Sequence, residues 1–182
     1  MAKLLMWNIT SLNGFFEATT PFSLDWFNAR IDEAFFAFAT AQLHTAGTLV
    51  FGRKTYEGMF AHWPTAAGEI AEQMNSIPKL IFSRTLKTST WHNTKITAED
   101  PVTTIAALKK SVSKDLYIFG SANLSKPLLE ANLFDEIRIC QASVLIPEGR
   151  PLFTPNALKN FDLVEAKPLS KNAVVLRYVP AG

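Results

Sequence analysis

The chain has 182 residues, of which 48% are hydrophobic and 19% are charged, so it can bury a core without disulfides or structural metals. Its net charge of +2 is too small for nucleic-acid binding through overall charge. This composition excludes general disorder and a nucleic-acid partner, and the length predicts one domain over residues 1–182.

The sequence predicts a cytoplasmic protein with no metal and no membrane partner. The N-terminal segment turns polar by Asn8, too early for a signal peptide, and no window approaches about 18 uninterrupted apolar residues. Cys140 is the only cysteine, so an intramolecular disulfide is excluded. His44, His62 and His92 each lack the neighbouring Cys, Asp or Glu pattern of a metal site.

The first part of the chain alternates predicted strands and helices. The apolar run at residues 3–10 predicts a strand, which the Asn13-Gly14 turn signal ends before a loop. Apolar residues at helical spacing predict a helix from about residue 24 to 42. The apolar run at residues 48–51 predicts a strand covered on both faces, followed by a short helix after Arg53.

The same alternation continues further along the chain. Residues 79–82 and 115–119 predict two more strands, and Asp100-Pro101 opens a helix between them. A further helix is predicted to run to about Asn132, which requires Pro127 to lie in its first turn.

The last part of the chain is predicted to be antiparallel. Residues 136–145 alternate polar and apolar side chains, and residues 161–167 and 173–179 are predicted to form a hairpin. The whole pattern predicts an α/β fold, with a mixed, mainly parallel central sheet flanked by helices and a C-terminal antiparallel hairpin.

Three predicted strands end in small or hydrogen-bonding residues, at the position where α/β sheets bind ligands. The segments are Phe51-Gly52-Arg53-Lys54-Thr55, Phe82-Ser83-Arg84-Thr85 and Phe119-Gly120-Ser121-Ala122-Asn123. Glycines, helix N-termini and these donors suit phosphate groups and so suggest a nucleotide. Neither G-x-G-x-x-G nor a P-loop is present. From spacing alone, ordinary turn glycines and solvated surface charges stay open as the alternative.

Several segments, taken in chain order, resemble the dihydrofolate reductase superfamily. Residues 11–14 resemble its S-L-D-G opening, residues 51–57 its G-R-x-T-[WY]-E segment, residues 80–84 its third strand end and residues 117–121 its late glycine segment. The tail, at residues 124–137 and 144–153, resembles the reductase domain of bifunctional riboflavin-biosynthesis proteins. The chain departs from the family at Asn13, which replaces an Asp, and at Ser121, which replaces the second glycine of a pair.

The resemblance implies an NADPH-dependent reductase, often a homodimer, that acts on a small pteridine or aminouracil-type heterocycle. Such a substrate would resemble dihydrofolate or 5-amino-6-(5-phosphoribosylamino)uracil, and Asn13 and Gly14 would lie near it. The residues implied to contact the cofactor are Gly52, Arg53, Lys54, Thr55, Ser83, Arg84, Gly120, Ser121, Asn123 and Leu124. Physically, arginine suits the 2′-phosphate of NADPH.

A carboxylate from the first helix is the implied catalytic group, because pteridine reductases place one under the substrate ring. The candidates are Asp25, Asp32 and Glu33. Asp25 precedes Trp26-Phe27, as in folate enzymes, but the interpretation we favour is that it complements the helix dipole. Asp32 and Glu33 flank an apolar helix face, and spacing assigns neither.

Two alternatives to a reductase stay open. One is a nucleotide-binding or regulatory protein of the same fold without catalysis, suggested by Asn13, by Ser121 and by the unassigned carboxylate. The other is a dimerisation module in which residues 136–144 form a sheet edge that pairs with a second copy.

Overall fold

A computed structural model describes residues 1–20, 22–28 and 31–182. The strands in this part of the chain are β1 (Leu4–Thr10), β2 (Phe15–Ala18), β3 (Ala46–Gly52), β4 (Lys79–Phe82), β5 (Thr94–Thr97), β6 (Asp115–Ile118), β7 (Glu136–Ala142), β8 (Gly149–Pro151), β9 (Phe161–Ser170) and β10 (Ala173–Pro180). The helices are α1 (Asp25–Asn28), α2 (Glu33–Thr45), α3 (Arg53–His62), α4 (Glu69–Ser76), α5 (Pro101–Ser111) and α6 (Ala122–Glu130). None of these helices has the length and apolarity needed to cross a bilayer.

Eight of the strands form one mixed sheet in the order β5-β4-β3-β6-β1-β7-β10-β9. Neighbouring strands from β5 to β7 are parallel, while β10 is antiparallel to both β7 and β9. The predicted mainly parallel α/β sheet with a C-terminal antiparallel hairpin is therefore confirmed. Because β3 lies between β4 and β6, the three strand ends singled out from the sequence meet at one edge of the sheet.

Helices cover both faces of the sheet, which is why its central strands are almost continuous apolar runs. On one face, Leu4 and Met6 belong to a buried cluster that includes Ile105 of α5 and Leu128 of α6. On the other face, Leu5 belongs to a cluster that includes residues of α2, α3 and α4. A slip of β1 by one residue would exchange the two sets of side chains, so burial fixes the register of the strand.

The predicted continuous helix over residues 24–42 is wrong. The structure has two helices, α1 and α2, while Ala29 and Arg30 lie outside the described residues. Asp32 has an extended backbone (φ −136°, ψ 176°), and its carboxylate accepts the Phe35 N–H at 3.1 Å. An aspartate in this conformation caps a new helix, and α2 then continues past residue 42 to Thr45.

Two further local predictions are corrected. Residues 15–18 are not a loop but strand β2, which pairs antiparallel with β8. Helix α6 begins at Ala122, so Pro127 lies inside the helix and not in its first turn. Pro127 has no N–H to donate to the carbonyl of Asn123, and the first turn is closed instead by the Ser125 N–H, 2.9 Å from the Ser121 carbonyl.

Strand β7 lies inside the sheet, so the prediction that residues 136–144 form an edge for self-pairing is wrong. It pairs with β1 on one side and with β10 on the other. The outer strands of the sheet are β5 and β9. A homodimer stays a prediction, but pairing through the edge of β7 is excluded.

A buried carboxylate ties the antiparallel strands to the parallel part of the sheet. Glu136 on β7 is 4% exposed and accepts hydrogen bonds from Arg138 and, at 2.7 Å, from Nε of Arg177 on β10. Burial alone would raise the pKa of Glu136, but the hydrogen bonds and charges of the two guanidinium groups outweigh burial and lower the pKa to about 2. Arg177 also binds Glu165 of β9 at 2.8 Å, so the ion-pair network spans three strands.

Glu136→Gln is expected to lower the free energy of unfolding by about 3 kcal/mol at neutral pH, because both guanidinium groups lose a buried counter-charge. The folded pKa lies below the ordinary 4.5, so the stabilisation is complete above that pH and is lost as the pH falls toward the folded pKa. Glu165→Gln, at a half-exposed partner of Arg177, is the matched control and should cost under about 1 kcal/mol. Urea denaturation from neutral to acidic pH measures both effects. Equal acid sensitivity of wild type and Glu136→Gln would contradict this assignment.

Candidate ligand-binding site at the carboxyl edge of the sheet

The N-termini of α3 and α6 are joined by hydrogen bonds at the carboxyl edge of the sheet. The Gly52 N–H donates to Oγ of Ser121 at 3.1 Å, and the Ser121 N–H donates to Oγ1 of Thr55 at 2.9 Å. Asp32 and Asp100 cap α2 and α5 with their side chains, whereas α3 and α6 begin without a side-chain cap. Two helix ends with free N–H groups therefore lie side by side, which is a favourable arrangement for an anion. We call Gly52, Thr55, Gly120 and Ser121 the strand-end cluster.

Two consecutive residues of the strand-end cluster have left-handed backbone. Gly120 has φ 56°, and Ser121 has φ 54° and ψ 35°. A Cβ on Gly120 would lie 3.1 Å from both Oγ1 and Cγ2 of Thr55, so glycine is required by conformation and by space. Serine adopts this conformation only at a cost, and the hydrogen bonds of its N–H and hydroxyl hold it there.

The structure brings only part of the sequence-predicted cofactor set into direct contact. Gly52, Thr55, Gly120 and Ser121 form the strand-end cluster, and Cβ of Leu124 would lie 3.7 Å from a Cβ on Gly52. Gly52 pairs with Phe82 in the sheet, so Ser83 and Arg84 follow at the same edge. The hydroxyl of Ser83 accepts the backbone N–H groups of Thr85 and Leu86 and shapes the turn after β4.

The charged and amide members of the predicted set are exposed, and two of them bind other side chains. Arg53 is exposed and forms a 2.7 Å ion pair with Glu57, four residues later on α3. Lys54 and Arg84 are exposed. Oδ1 of Asn123 accepts a hydrogen bond from Arg150 at 2.6 Å. The edge thus carries cations that are free to meet a bound anion, since exposed ion pairs are weak.

A cavity of about 960 Å³ opens beside the strand-end cluster, and Thr55 and Gly120 line both. Aromatic side chains from β1, the helices and the end of β6 form much of its wall, among them Trp7, Phe35 and Phe119. Trp7 packs against both phenyl rings, with ring centroids 6.1 Å and 5.2 Å away. A volume of this size and an apolar, aromatic lining are typical of a small-molecule site.

Two buried donors on β1 have no hydrogen-bond partner among the described residues. They are Nε1 of Trp7 and Nδ2 of Asn8, and both residues line the cavity. Oδ1 of Asn8 accepts the Gly120 N–H at 2.6 Å, so that hydrogen bond fixes which end of the amide is the donor. A buried donor without an acceptor is costly, and a ligand acceptor would satisfy it.

Of the three predicted carboxylates, only Asp25 lines the cavity. Its carboxylate accepts the Ser23 hydroxyl at 2.8 Å. The carboxylate of Asp32 caps α2, and a hydrogen bond from Ser170 and the Phe35 N–H lower its pKa. Glu33 is exposed in the first turn of α2. Since α1 is a helix of one turn, the helix-dipole interpretation of Asp25 loses most of its basis.

Glu17 is a second cavity carboxylate, and the sequence analysis missed it. It lies on β2, its side chain is 17% exposed, and it accepts the Phe22 N–H at 3.2 Å. Nη1 of Arg150 lies 3.6 Å from its carboxylate. Sequence reasoning would have found Glu17 only by predicting strand β2. It also missed Asn8, for which the available signal was a polar residue inside an otherwise apolar strand.

Asn13 and Gly14, the predicted substrate residues, hold the turn between β1 and β2. Oδ1 of Asn13 accepts the Ser11 hydroxyl at 2.8 Å, and Nδ2 donates to the Ile146 carbonyl at 2.9 Å. Gly14 has φ 83°. Neither residue lines the cavity. Among the residues that the structure describes, no group of three His, Cys, Asp or Glu side chains is arranged to hold a metal.

Comparison with known proteins identifies related sequences and folds. The family model described as the RibD C-terminal domain matches residues 2–175. The uncharacterized protein YyaP of Bacillus subtilis (strain 168) is 28% identical over 175 residues, which cover 92% of this chain and 89% of that protein. A putative riboflavin biosynthesis protein from Shewanella sp. PV-4 has a TM-score of 0.80 at 20% identity, with complete coverage of both chains.

The fold also matches a solved dihydrofolate reductase. The enzyme from Enterococcus faecalis, complexed with NADP(H) and RAB-propyl, has a TM-score of 0.59 at 14% identity and covers 99% of this chain and 97% of its own. The predicted dihydrofolate reductase-like fold is confirmed.

Ser121→Ala is expected to cost about 1–2 kcal/mol of unfolding free energy, because the Gly52 N–H loses its acceptor while the left-handed backbone stays. Ser121→Gly loses the same hydrogen bond but relieves about 1 kcal/mol of backbone strain, so it should be the more stable variant. Urea denaturation of the two variants and the wild type measures their unfolding free energies and so ranks their stability. Equal stability of the two variants would show that residue 121 is not held in a strained conformation.

Proposed function

Because the chain belongs to the RibD C-terminal domain family, we propose that it is a reductase that binds NADPH along the carboxyl edge of the sheet and reduces a flat heterocycle in the adjoining cavity. One observation carries the proposal. The strand-end cluster, with two uncapped helix N-termini, shares Thr55 and Gly120 with the wall of a large aromatic cavity. A phosphate site and a ring site are therefore continuous.

The residues at the sheet edge fit a phosphorylated dinucleotide. Free N–H groups at the starts of α3 and α6 would bind the pyrophosphate, and Gly120 allows the backbone to approach it closely. Arg53, Lys54 and Arg84 are exposed at the same edge and would bind the additional phosphate that distinguishes NADPH from NADH. When bound, NADPH supplies the hydride.

The residues of the cavity fit the orientation and protonation of a reducible ring. The unpaired amide of Asn8 would donate to a carbonyl or ring nitrogen, and it is held in place by the Gly120 N–H. The exposed carboxylate of Asp25 would take up and deliver the proton that a reduced ring nitrogen requires. We assign this role to Asp25 ahead of Glu17, because Glu17 already accepts the Phe22 N–H and faces Arg150.

Arg53→Ala is expected to weaken NADPH binding about tenfold and NADH binding less than about twofold, because only NADPH carries the phosphate that Arg53 would contact. Titration of protein fluorescence measures both dissociation constants, since Trp7 and Trp63 line the cavity. Glu57→Gln is the matched control, because it removes the partner of Arg53 and should leave NADPH binding unchanged or tighter. Equal weakening of both cofactors by Arg53→Ala would reject this role.

Asp25→Asn is expected to lower kcat about 100-fold with any ring that the enzyme reduces, because the proton source is lost. The dissociation constant of NADPH should not change. Glu33→Gln, at an exposed carboxylate of α2, should leave kcat and the dissociation constant of NADPH unchanged. NADPH oxidation is followed across a panel of pteridines and aminopyrimidines. Cofactor binding without turnover of any ring would favour a nucleotide-binding protein without catalysis.

A further inference from the structure

The cavity has an unusual charge pattern for an enzyme whose relatives are associated with riboflavin biosynthesis. None of its described lining residues is a lysine or an arginine, and its ionisable side chains are Glu17, Asp25 and His62. Two of these three are acids. The rest of the described wall is apolar, aromatic or uncharged.

A substrate phosphate needs cationic side chains or a free helix N-terminus. The described cavity lining has no lysine or arginine, and the free N-termini beside it, those of α3 and α6, are assigned to the cofactor. The N-terminus of α2 is capped by Asp32, and that of α1 carries Asp25 in its only turn. Arg150 lies beside the wall, but its guanidinium donates to Asn123 and faces Glu17 and the ring of Phe16. The exposed cations of the sheet edge are assigned to the cofactor in the proposed function, on which this inference rests.

The polar side chains among the lining residues suit an uncharged ring. Nε1 of Trp7 and Nδ2 of Asn8 are buried donors without partners, so they require acceptors such as ring carbonyls or nitrogens. The carboxylates of Glu17 and Asp25 accept hydrogen bonds and suit ring N–H or amino groups. Aromatic walls such as Trp7 and Phe35 stack on a flat apolar face.

We propose that the substrate is an uncharged, planar, nitrogen-containing aromatic molecule without a phosphate group, held between the donors of β1 and the two carboxylates. A phosphate brought into this cavity would lie beside two carboxylates, and none of the described lining residues is a lysine or an arginine that could pair with it. A ring compound without a phosphate group therefore binds to the cavity more tightly than its phosphorylated form.

The test uses matched pairs that differ only in a phosphate, namely riboflavin with FMN and a ribosyl-substituted aminouracil with its 5′-phosphate. Binding is measured by calorimetry with saturating NADP⁺, so that the sheet edge is filled. The uncharged member of at least one pair should bind more than about tenfold tighter than its phosphate. Equal or tighter binding of the phosphates, or no binding by either uncharged compound, overturns the proposal.

Two variants locate the binding in the cavity. Trp7→Phe removes the unpaired indole donor but keeps a ring, and it should weaken the uncharged ligand about fivefold. Trp26→Phe removes another buried indole donor without a partner, from a residue outside the cavity lining, and should have no effect. An equal response of the two variants overturns the assignment of the donor.

Two controls keep this inference distinct from the proposed function. Arg30 lies outside the described residues, so Arg30→Ala is measured beside the wild type and should leave the preference for the uncharged compounds unchanged. A preference for phosphates that Arg30→Ala abolishes would overturn the proposal.

Direct titration with NADPH separates the proposed reductase function from the proposed substrate class. Failure of NADPH to bind rejects the reductase function, whereas NADPH binding together with a preference for phosphates rejects only the substrate class.

Discussion

The site depends on one pair of hydrogen bonds, from the Gly52 N–H to the Ser121 hydroxyl and from the Ser121 N–H to the Thr55 hydroxyl. These bonds join the starts of α3 and α6, which leave two strands that are neighbours in the sheet. They also stabilise the left-handed backbone at residue 121. The neighbouring Gly120 donates its N–H to Asn8 at 2.6 Å, so the joined helix starts are also connected to the cavity wall.

Charge divides the site into two parts. Cations and free helix N–H groups lie along the sheet edge, where a phosphorylated cofactor is proposed, while carboxylates and aromatic rings line the cavity. Thr55 and Gly120 belong to both parts, so a cofactor and a ring that occupy them would meet there. This arrangement separates the groups that suit a phosphate from the groups that suit a ring.

The sequence predicted the parts of the fold that local pattern determines. Continuous apolar runs revealed the buried parallel strands, and the residues after them revealed the strand-end cluster. Contacts between distant residues were not predictable in this way. Asp32 ends a helical pattern because its side chain caps the next helix, and Glu17 reaches the cavity only because β2 pairs with the distant strand β8. The substrate prediction at Asn13 rested on resemblance, and the structure places that side chain in a turn.

The central claim is that the strand-end cluster and the cavity are one site, and hydrogen–deuterium exchange with and without NADPH tests it most directly. The account predicts slower exchange at the start of α3, at the start of α6 and around Asn8. The two helix starts would contact the bound cofactor, and Asn8 is hydrogen-bonded to Gly120, which directly precedes α6 and its Ser121 N-cap. Strands β9 and β10 should exchange at unchanged rates. Protection confined to other segments, or no protection at the two helix starts when NADPH is bound, would contradict the account.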